Sequence, residues 1–360
     1  MNDNFYAVIM AGGGGTRLWP LSKKDRPKQL ISFSDGQSLF ADAVERLDGL
    51  FKKENIFVVT IADQVPALQA QTPTLPLSQF IIEPQPKGTA SVIGLAAITL
   101  KKKNPDAIMA VLTADHIIGN LSLFHSLLKK ALPLAEQNHL ITLGIKPSYP
   151  ATGYGYIEAG STLIASDTLI VKKFVEKPDK NLASQYLKEG NYYWNSGMFI
   201  WKAERILDEF DNQMPDFFKK LDQISLLEGD REYAKNFTEI WSSIVPQTID
   251  YGIMEHAKDV VLLKADGMKW NDVGSWDSLY DFLPADSSGN VIKNKNSILV
   301  DSSGVLILGE NENKLIASLG VQDLVIIETD KALLICKKGE TQRIKEVIEK
   351  IKSENLDKFL

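Results

Sequence analysis

Phe5-Tyr6-Ala7-Val8-Ile9-Met10-Ala11-Gly12-Gly13-Gly14-Gly15-Thr16-Arg17-Leu18-Trp19-Pro20 carries an apolar run straight into four consecutive glycines. The run is too short to cross a membrane and reads as a buried strand. The glycines let the backbone adopt positive φ and approach a ligand without side-chain obstruction. Their N–H groups can line an anion-binding concavity, and Arg17 adds a permanent charge with a planar fork of donors. Lys28, directly after Pro27, supplies a second cation. Two better-known phosphate loops do not fit. A Walker A loop ends in Gly-Lys-Ser/Thr, whereas Arg17 stands five residues after Gly12; the dinucleotide fingerprint needs a third glycine where this chain has Arg17 and Leu18. Glycine richness alone is equally compatible with a tight turn carrying an incidental arginine.

Outward from this stretch, strands are expected at Phe5–Met10, Ile56–Thr60, Phe80–Ile82, Ala107–Leu112 and Leu140–Leu143. Helical spacing falls between them at Leu39–Leu47, Gly88–Lys103 and Leu121–Ala135. That alternation predicts βαβ units and an α/β fold with a mostly parallel, doubly wound sheet, whose ligands sit beyond the carboxyl ends of the strands. Further strands are expected at Leu169–Val175, Met198–Trp201 and Val260–Leu263. After Pro284 short apolar runs (Ile298–Val300, Val305–Leu308, Leu324–Ile327, Leu333–Ile335) alternate with turn-formers, and an amphipathic helix is expected around Thr341–Lys352. The reading divides the chain into a catalytic domain, 1–284, and a small β-rich domain with a terminal helix, 285–360.

The 360 residues, 44% hydrophobic and 24% charged, fall among ordinary globular chains. The formal net charge of -6 argues against a nucleic-acid binder, though local cations can still hold small anions. One cysteine, Cys336, excludes a disulfide framework within the chain, and the four histidines have no zinc-site spacing. No cationic segment precedes a long apolar stretch, so neither a signal peptide nor membrane association is expected, and the expected location is the cytoplasm.

Several side chains carry candidate chemistry. Asp115 follows an expected strand in Leu112-Thr113-Ala114-Asp115-His116, and Asp272 lies in Trp270-Asn271-Asp272-Val273-Gly274-Ser275-Trp276. Each alone reads first as a helix cap or turn residue. In Phe174-Val175-Glu176-Lys177-Pro178, Glu176 is a natural acceptor for adjacent sugar hydroxyls and Lys177 a compact partner for a phosphate; an ordinary surface ion pair is the plain alternative. Asn195, in Trp194-Asn195-Ser196-Gly197-Met198, can donate to and accept from hydroxyls, while Trp194, Tyr154 and Tyr156 read as packing residues. Glu83 can accept from a guanine edge, and Gly88 and Thr89 stand where a helix N-terminus presents free N–H groups. Asp250 reads as a helix cap and Glu255 as structural support, with contact to a sugar the lesser alternative.

Taken together, Gly-Gly-x-Gly-Thr-Arg-Leu-x-Pro-Leu with Pro27-Lys28-Gln29 resembles the signature loop of the sugar-phosphate nucleotidyltransferases. The Ala-Asp-His, Phe-Val-Glu-Lys-Pro, Trp-Asn-Ser-Gly-Met, Ile-Asp-x-x-x-Met-Glu and Asp-Val-Gly-Ser-Trp strings follow in that family's order, over about residues 5 to 335. Trp19 and the Pro-Lys-Gln run are similar to the mannose-1-phosphate guanylyltransferase branch. The resemblance implies a Rossmann-like nucleotidyltransferase domain followed by a β-helical arm. It also implies that Ala11, Gly12, Gly13, Gly14, Gly15 and Thr16 wrap the nucleotide while Arg17 and Lys28 contact its phosphates. Asp115 and Asp272 would hold Mg2+; Glu176, Asn195 and the backbone of Gly155 would read the sugar, and Lys177 its phosphate. The implied substrates are GTP and mannose 1-phosphate, and the products GDP-mannose and pyrophosphate. His116 is expected to order its loop, because the attacking phosphate oxygen is already ionised.

Two features depart from the family. Thr113 replaces a common proline, and Lys87-Gly88 replaces Arg-Asn, bringing a glycine closer to the thymidylyl and uridylyl relatives. Another sugar 1-phosphate (heptose or glucose) or another nucleotide stays open at this point, as does a non-catalytic GDP-mannose-binding paralogue. The chain is expected to lack the isomerase domain of bifunctional relatives, and its apolar β appendage suggests a homodimer.

Overall fold

The computed structural model describes residues 2–13, 16–34, 36–227, 229–311 and 313–360. The chain folds into two compact units. One comprises Met1–Gly12, Ala43–Ala114 and Ile118–Trp270; the other comprises Gly13–Asp42, Asp115–Ile117 and Asn271–Leu360.

The first unit is built on a nine-stranded sheet. Its strands are β1 (Phe5–Met10), β2 (Ile56–Ile61), β3 (Phe80–Glu83), β4 (Ile108–Thr113), β5 (Leu140–Ile145), β6 (Tyr156–Thr162), β7 (Thr168–Val175), β8 (Tyr192–Lys202) and β9 (Val260–Lys264). The order across the sheet is β3-β2-β1-β4-β8-β5-β9-β7-β6. The first four strands pair in parallel, as do β5 and β9. Antiparallel pairing enters with β8, β7 and β6, so the sheet is mixed. Buried apolar runs such as Ala7–Ile9 and Met109–Leu112 suit strands covered on both faces.

Helix Thr89–Lys103 packs closely on helix Pro215–Ser225: a Cβ at Gly94 would lie 2.7 Å from Leu221 Cδ1 and 2.8 Å from Phe217 Cζ. Helix Leu121–Glu136 starts at Asn120, whose side chain accepts the Leu123 N–H. Strand β8 is longer than the expected Met198–Trp201. Its register against β5 shifts between Asn195 and Phe199, and Gly197 there has φ +69°, so Asn195 to Gly197 leave the regular ladder.

In the second unit the chain winds between two small sheets. Strands β10 (Val291–Lys293), β12 (Leu306–Gly309) and β14 (Leu324–Glu328) pair in parallel, and β15 (Leu333–Lys337) closes that sheet antiparallel. The alternating coils β11 (Ser297–Val300) and β13 (Ile316–Leu319) pair in parallel with each other. This is the expected β-helical arm. Val291–Lys293 and Ile316–Leu319 are absent from the expected strands: the first is only three residues long, and Ala317-Ser318 interrupts the apolar run of the second. The arm ends in a 3-10 turn, Thr341–Arg343, and helix Ile344–Ser353.

Packing divides the chain differently from the linear cut after residue 284. Leu18, Trp19, Leu21, Ile31, Phe33 and Leu39 share one buried core with Val273, Trp276, Val291, Leu306, Val325 and Ile344. The segment after the glycines therefore folds with the C-terminal third, an association no linear reading reveals.

Candidate active site

Of the glycine run, Gly14 and Gly15 lie outside the described residues. Gly13 is exposed, and Thr16 opens a 3-10 turn, Thr16–Leu18, with Arg17 exposed at its centre. A few residues on, Lys28 sits in a second 3-10 turn, Lys28–Leu30, with only 10% of its side chain exposed. A buried ammonium needs acceptors. Lys28 Nζ lies 2.7 Å from Asp115 Oδ2 and donates to the main-chain carbonyl of Asp272. One lysine thus brings together two segments 157 residues apart in sequence (272 − 115). Burial alone lifts the Asp115 carboxyl, but the Lys28 ammonium and then His116 more than reverse this and hold it below the usual carboxylate range. His116 Nε2 stands 3.7 Å from Asp115 Oδ1.

The loop carrying Asp272 is built from two consecutive side-chain turns. Asn271 Oδ1 accepts the Val273 N–H at 2.7 Å, and Asp272 Oδ1 accepts the Gly274 N–H at 3.0 Å. Between them Val273, fully buried, is held at φ +48°, a costly conformation for a β-branched residue. Ser275 then caps helix Trp276–Phe282 in a reciprocal pair with Ser278. The expectation of a cap or turn role for Asp272 alone thus fits its carboxylate's local bond, while the cap itself is Ser275.

In the sheet unit, Ala11 extends β1: its N–H donates to Val59 O at 2.9 Å, and its carbonyl accepts from Thr60 Oγ1 at 2.8 Å. Its N–H is therefore spent inside the protein. Glu83 ends β3 fully buried, and a Cβ at Gly12 would lie 3.2 Å from Glu83 Oε1. Burial pushes this carboxyl up to about 7, against the pull of the Lys87 N–H. Its Oε2 has no hydrogen-bond partner among the described residues. Such an oxygen is costly unless something donates to it.

Gly88 has a simpler explanation than base preference. It stands at φ +88°, and a Cβ there would lie 2.3 Å from the Gln247 carbonyl oxygen. The Ala90 N–H also donates to that oxygen at 3.2 Å, and Thr89 Oγ1 accepts the Ile249 N–H at 2.9 Å. One of the first helical N–H groups is thus already used, and glycine at this position reflects the nearby chain.

The remaining predicted residues form one cluster of the same unit. A Cβ at Gly155 would lie 2.5 Å from Glu176 Oε2, and the Gly155 carbonyl accepts the Asn195 N–H at 2.8 Å. Glu176, 10% exposed, pairs with Lys177, whose φ of +43° is unusual for a non-glycine residue. Asn195 Nδ2 donates to Asp250 Oδ1 at 2.7 Å, while its Oδ1 accepts the Gly197 N–H at 3.0 Å. Asp250 is not the cap expected: its side chain bonds Asn195 instead of a helix terminus. Burial first, then the charge of Glu176, push its carboxyl up to about 6; Asn195 and Lys177 act in the opposite sense. The Ile-Asp-x-x-x-Met-Glu string had marked the position, with sugar contact as the lesser reading. Tyr156 is buried as expected and Trp194 packs on Tyr149 and Tyr154, ring centroids 4.9 and 5.0 Å away.

Among the described residues no group of three or more His, Cys, Asp or Glu side chains is placed to hold a metal by itself. Nor is any described helix long and apolar enough to cross a membrane.

The family model for nucleotidyl transferases matches residues 6–289, and that of the MannoseP isomerase/GMP-like beta-helix domain matches residues 295–351. A mannose-1-phosphate guanylyltransferase from Escherichia coli is 35% identical over 97% of this chain and 76% of its own length; one from Klebsiella pneumoniae is 35% identical over 98% and 75%. A crystal structure described as a mannose-1-phosphate geranyltransferase from Thermus thermophilus superposes with a TM-score of 0.87 at 29% identity, covering 97% of this chain and 99% of that one. The chain belongs to the nucleotidyl transferase family, alongside the mannose-1-phosphate guanylyltransferases.

Proposed function

We propose that the chain transfers GMP from GTP to mannose 1-phosphate, giving GDP-mannose and pyrophosphate. The observation that carries this reading is the Lys28 ammonium held between the Asp115 carboxylate and the Asp272 backbone. It brings Lys28, the Asp115 carboxylate and the Asp272 backbone, all from the family's motifs, into contact.

The phosphate oxygen of mannose 1-phosphate attacks the α-phosphorus of GTP in line. The new P–O bond forms as the bond to the β-phosphate breaks, and pyrophosphate leaves. Both reactants are anions, so positioning and charge neutralisation supply most of the catalysis. Arg17, exposed and permanently charged, binds the triphosphate. Lys28 has three N–H donors, and among the described residues two are engaged, so the third can serve a triphosphate oxygen. Ala11 and Gly12 on one side of the glycine run, and Gly13 and Thr16 on the other, are assigned to the nucleotide, as are Gly14 and Gly15 on the sequence motif alone. The unpartnered oxygen of Glu83 accepts from the guanine edge, whose N2 amino group is a donor that adenine's edge lacks. Gly88 and Thr89 fix the start of the helix beside it. Glu176 and Asn195 read the sugar hydroxyls against the bare backbone of Gly155; Asp250 orients Asn195; Lys177 holds the sugar's phosphate.

Asp115 and Asp272 would hold a magnesium ion. Two hard oxygen ligands, one kept ionised below the usual range, are what this ion takes from a protein when substrate phosphates and water complete its shell. Bound there, magnesium supplies charge neutralisation on the phosphates. His116 orders the Asp115 loop and transfers no proton. We place the enzyme in the cytoplasm. We also propose that it acts as a homodimer, with exposed Ile298, Val300 and Leu319 on the arm as the contact; a monomeric mass by light scattering at micromolar concentration would count against that contact.

A pyrophosphate-release assay over a panel of nucleotides and sugar 1-phosphates tests the reading. GTP with mannose 1-phosphate should give the highest kcat/KM. A better pair with glucose or heptose 1-phosphate, or with another nucleotide, would reassign the substrate. No turnover with any pair would leave a non-catalytic nucleotide-sugar binder.

A further inference from the structure

The segment that follows the glycines is tied to residues near 360 and to the helix after Asp272 by two tryptophans. Trp19, two residues after Arg17 and 7% exposed, donates its indole N–H to the Phe359 carbonyl at 2.7 Å. The Trp19 carbonyl in turn accepts the indole N–H of Trp276 at 3.2 Å. Trp276 is fully buried and opens the helix that follows the Asp272 loop. A second tie runs to the same helix: Asp277 accepts the Gly339 N–H at 2.8 Å and the Thr341 hydroxyl at 2.5 Å. Ile344, Ile348, Ile351 and Leu360 pack into the core that holds Leu18, Trp19 and Trp276.

We propose that the C-terminal segment from Gly339 to Leu360 positions the nucleotide-binding loop and the Asp272 loop through Trp19, Trp276 and Asp277, which makes these three positioning residues for the transfer reaction. The proposal rests on the reading that the loop binds GTP. An indole N–H is a donor only, and a buried one is costly without an acceptor. Each tryptophan therefore has a single low-energy placement set by one carbonyl. One of those carbonyls is that of Trp19 itself, so fixing the Trp276 ring fixes the backbone two residues after Arg17. The acceptor for the other is supplied by the last turn of the chain. Ordering the loop in advance removes that entropic cost from nucleotide binding.

The test uses the full chain with Trp19→Phe, which keeps a large ring and removes the donor, and Thr341→Val, which removes the hydroxyl from Asp277 while keeping its shape. KM for GTP should rise about 5- to 10-fold in each, the effect of one buried hydrogen bond. KM for mannose 1-phosphate should stay within about twofold, and circular dichroism should show both variants folded at the assay temperature. Unchanged KM for GTP in either folded variant, or equal rises in both KM values, would overturn the proposal. Should Trp19→Phe fail to fold, Trp276→Phe with Thr341→Val carries the same comparison. Wild-type turnover measured alongside separates the two readings: an inactive wild type sinks the functional assignment, whereas an active one with unaffected variants sinks only the positioning role.

Discussion

Glu83 is a carboxylic acid buried at a strand end with one oxygen unpartnered, and its pKa of about 7 makes its charge depend on conditions near neutrality. The folded state binds its proton more tightly than the unfolded chain does. Its contribution to stability is therefore fully present below the unfolded value of about 4.5 and is lost as pH rises through 7. Urea denaturation should find Glu83→Gln gaining stability relative to the wild type between pH 5 and 8, on the order of 1–2 kcal/mol after discounting for solvent screening. A constant difference across that range would contradict the burial argument. Binding follows the opposite direction, because a protonated carboxyl loses acceptor capacity toward guanine. KM for GTP should rise in the wild type as pH falls below 7, and this slope should vanish in Glu83→Gln. Gly155 makes a simpler case. A methyl there would meet the Glu176 carboxylate, so Gly155→Ala should raise KM for mannose 1-phosphate about tenfold or more with little change for GTP.

Eight of the nine strands of the sheet were legible in the sequence as short apolar runs bounded by turn residues; β6, whose Tyr-Ile-Glu-Ala-Gly-Ser-Thr mixes polar and small residues, was not among the expected strands. Their bounds in the structure differ by one or two residues for most of them. What stayed hidden depends on contacts between distant segments. The nearness of Asp115 to the Asp272 backbone depends on Lys28, a residue read only as a phosphate ligand. Gly88 looked like evidence about the base, yet its close approach to Gln247 accounts for it, and Gln247 lies 159 residues further along (247 − 88). Gly88→Ala should accordingly lower stability by about 2–4 kcal/mol, from both the positive φ and the clash with backbone, without altering the preference among nucleotides. Asp250 was misread because an aspartate before a helical turn is usually a cap, and its true partner, Asn195, is supplied by the irregular part of β8. Loss of the Ser275 cap by Ser275→Ala should cost about 1 kcal/mol and loosen the Asp272 turn; thermal melts with and without GTP would show a larger loss of ligand stabilisation than of intrinsic stability.

The division of the whole chain follows packing more than sequence order. Leu18, Trp19, Ile31 and Phe33 find their partners in the C-terminal third, so the arm completes the core against which the segment after the glycines packs. A chain cut to residues 1–284 would expose these side chains, each worth about 1.5–3 kcal/mol of burial, against a typical net stability of about 5–15 kcal/mol. It should be recovered insoluble or inactive, and a soluble, active fragment would show the arm to be dispensable.

The most direct test is the rate of pyrophosphate release at saturating GTP, mannose 1-phosphate and magnesium for Asp115→Asn and Asp272→Asn beside the wild type. Substitution of either carboxylate should reduce kcat by about a thousandfold or more while circular dichroism stays native, and chelation should silence the wild type. Folded variants that retain a rate within about tenfold of the wild type, or undiminished turnover by the chelated enzyme, would contradict the account.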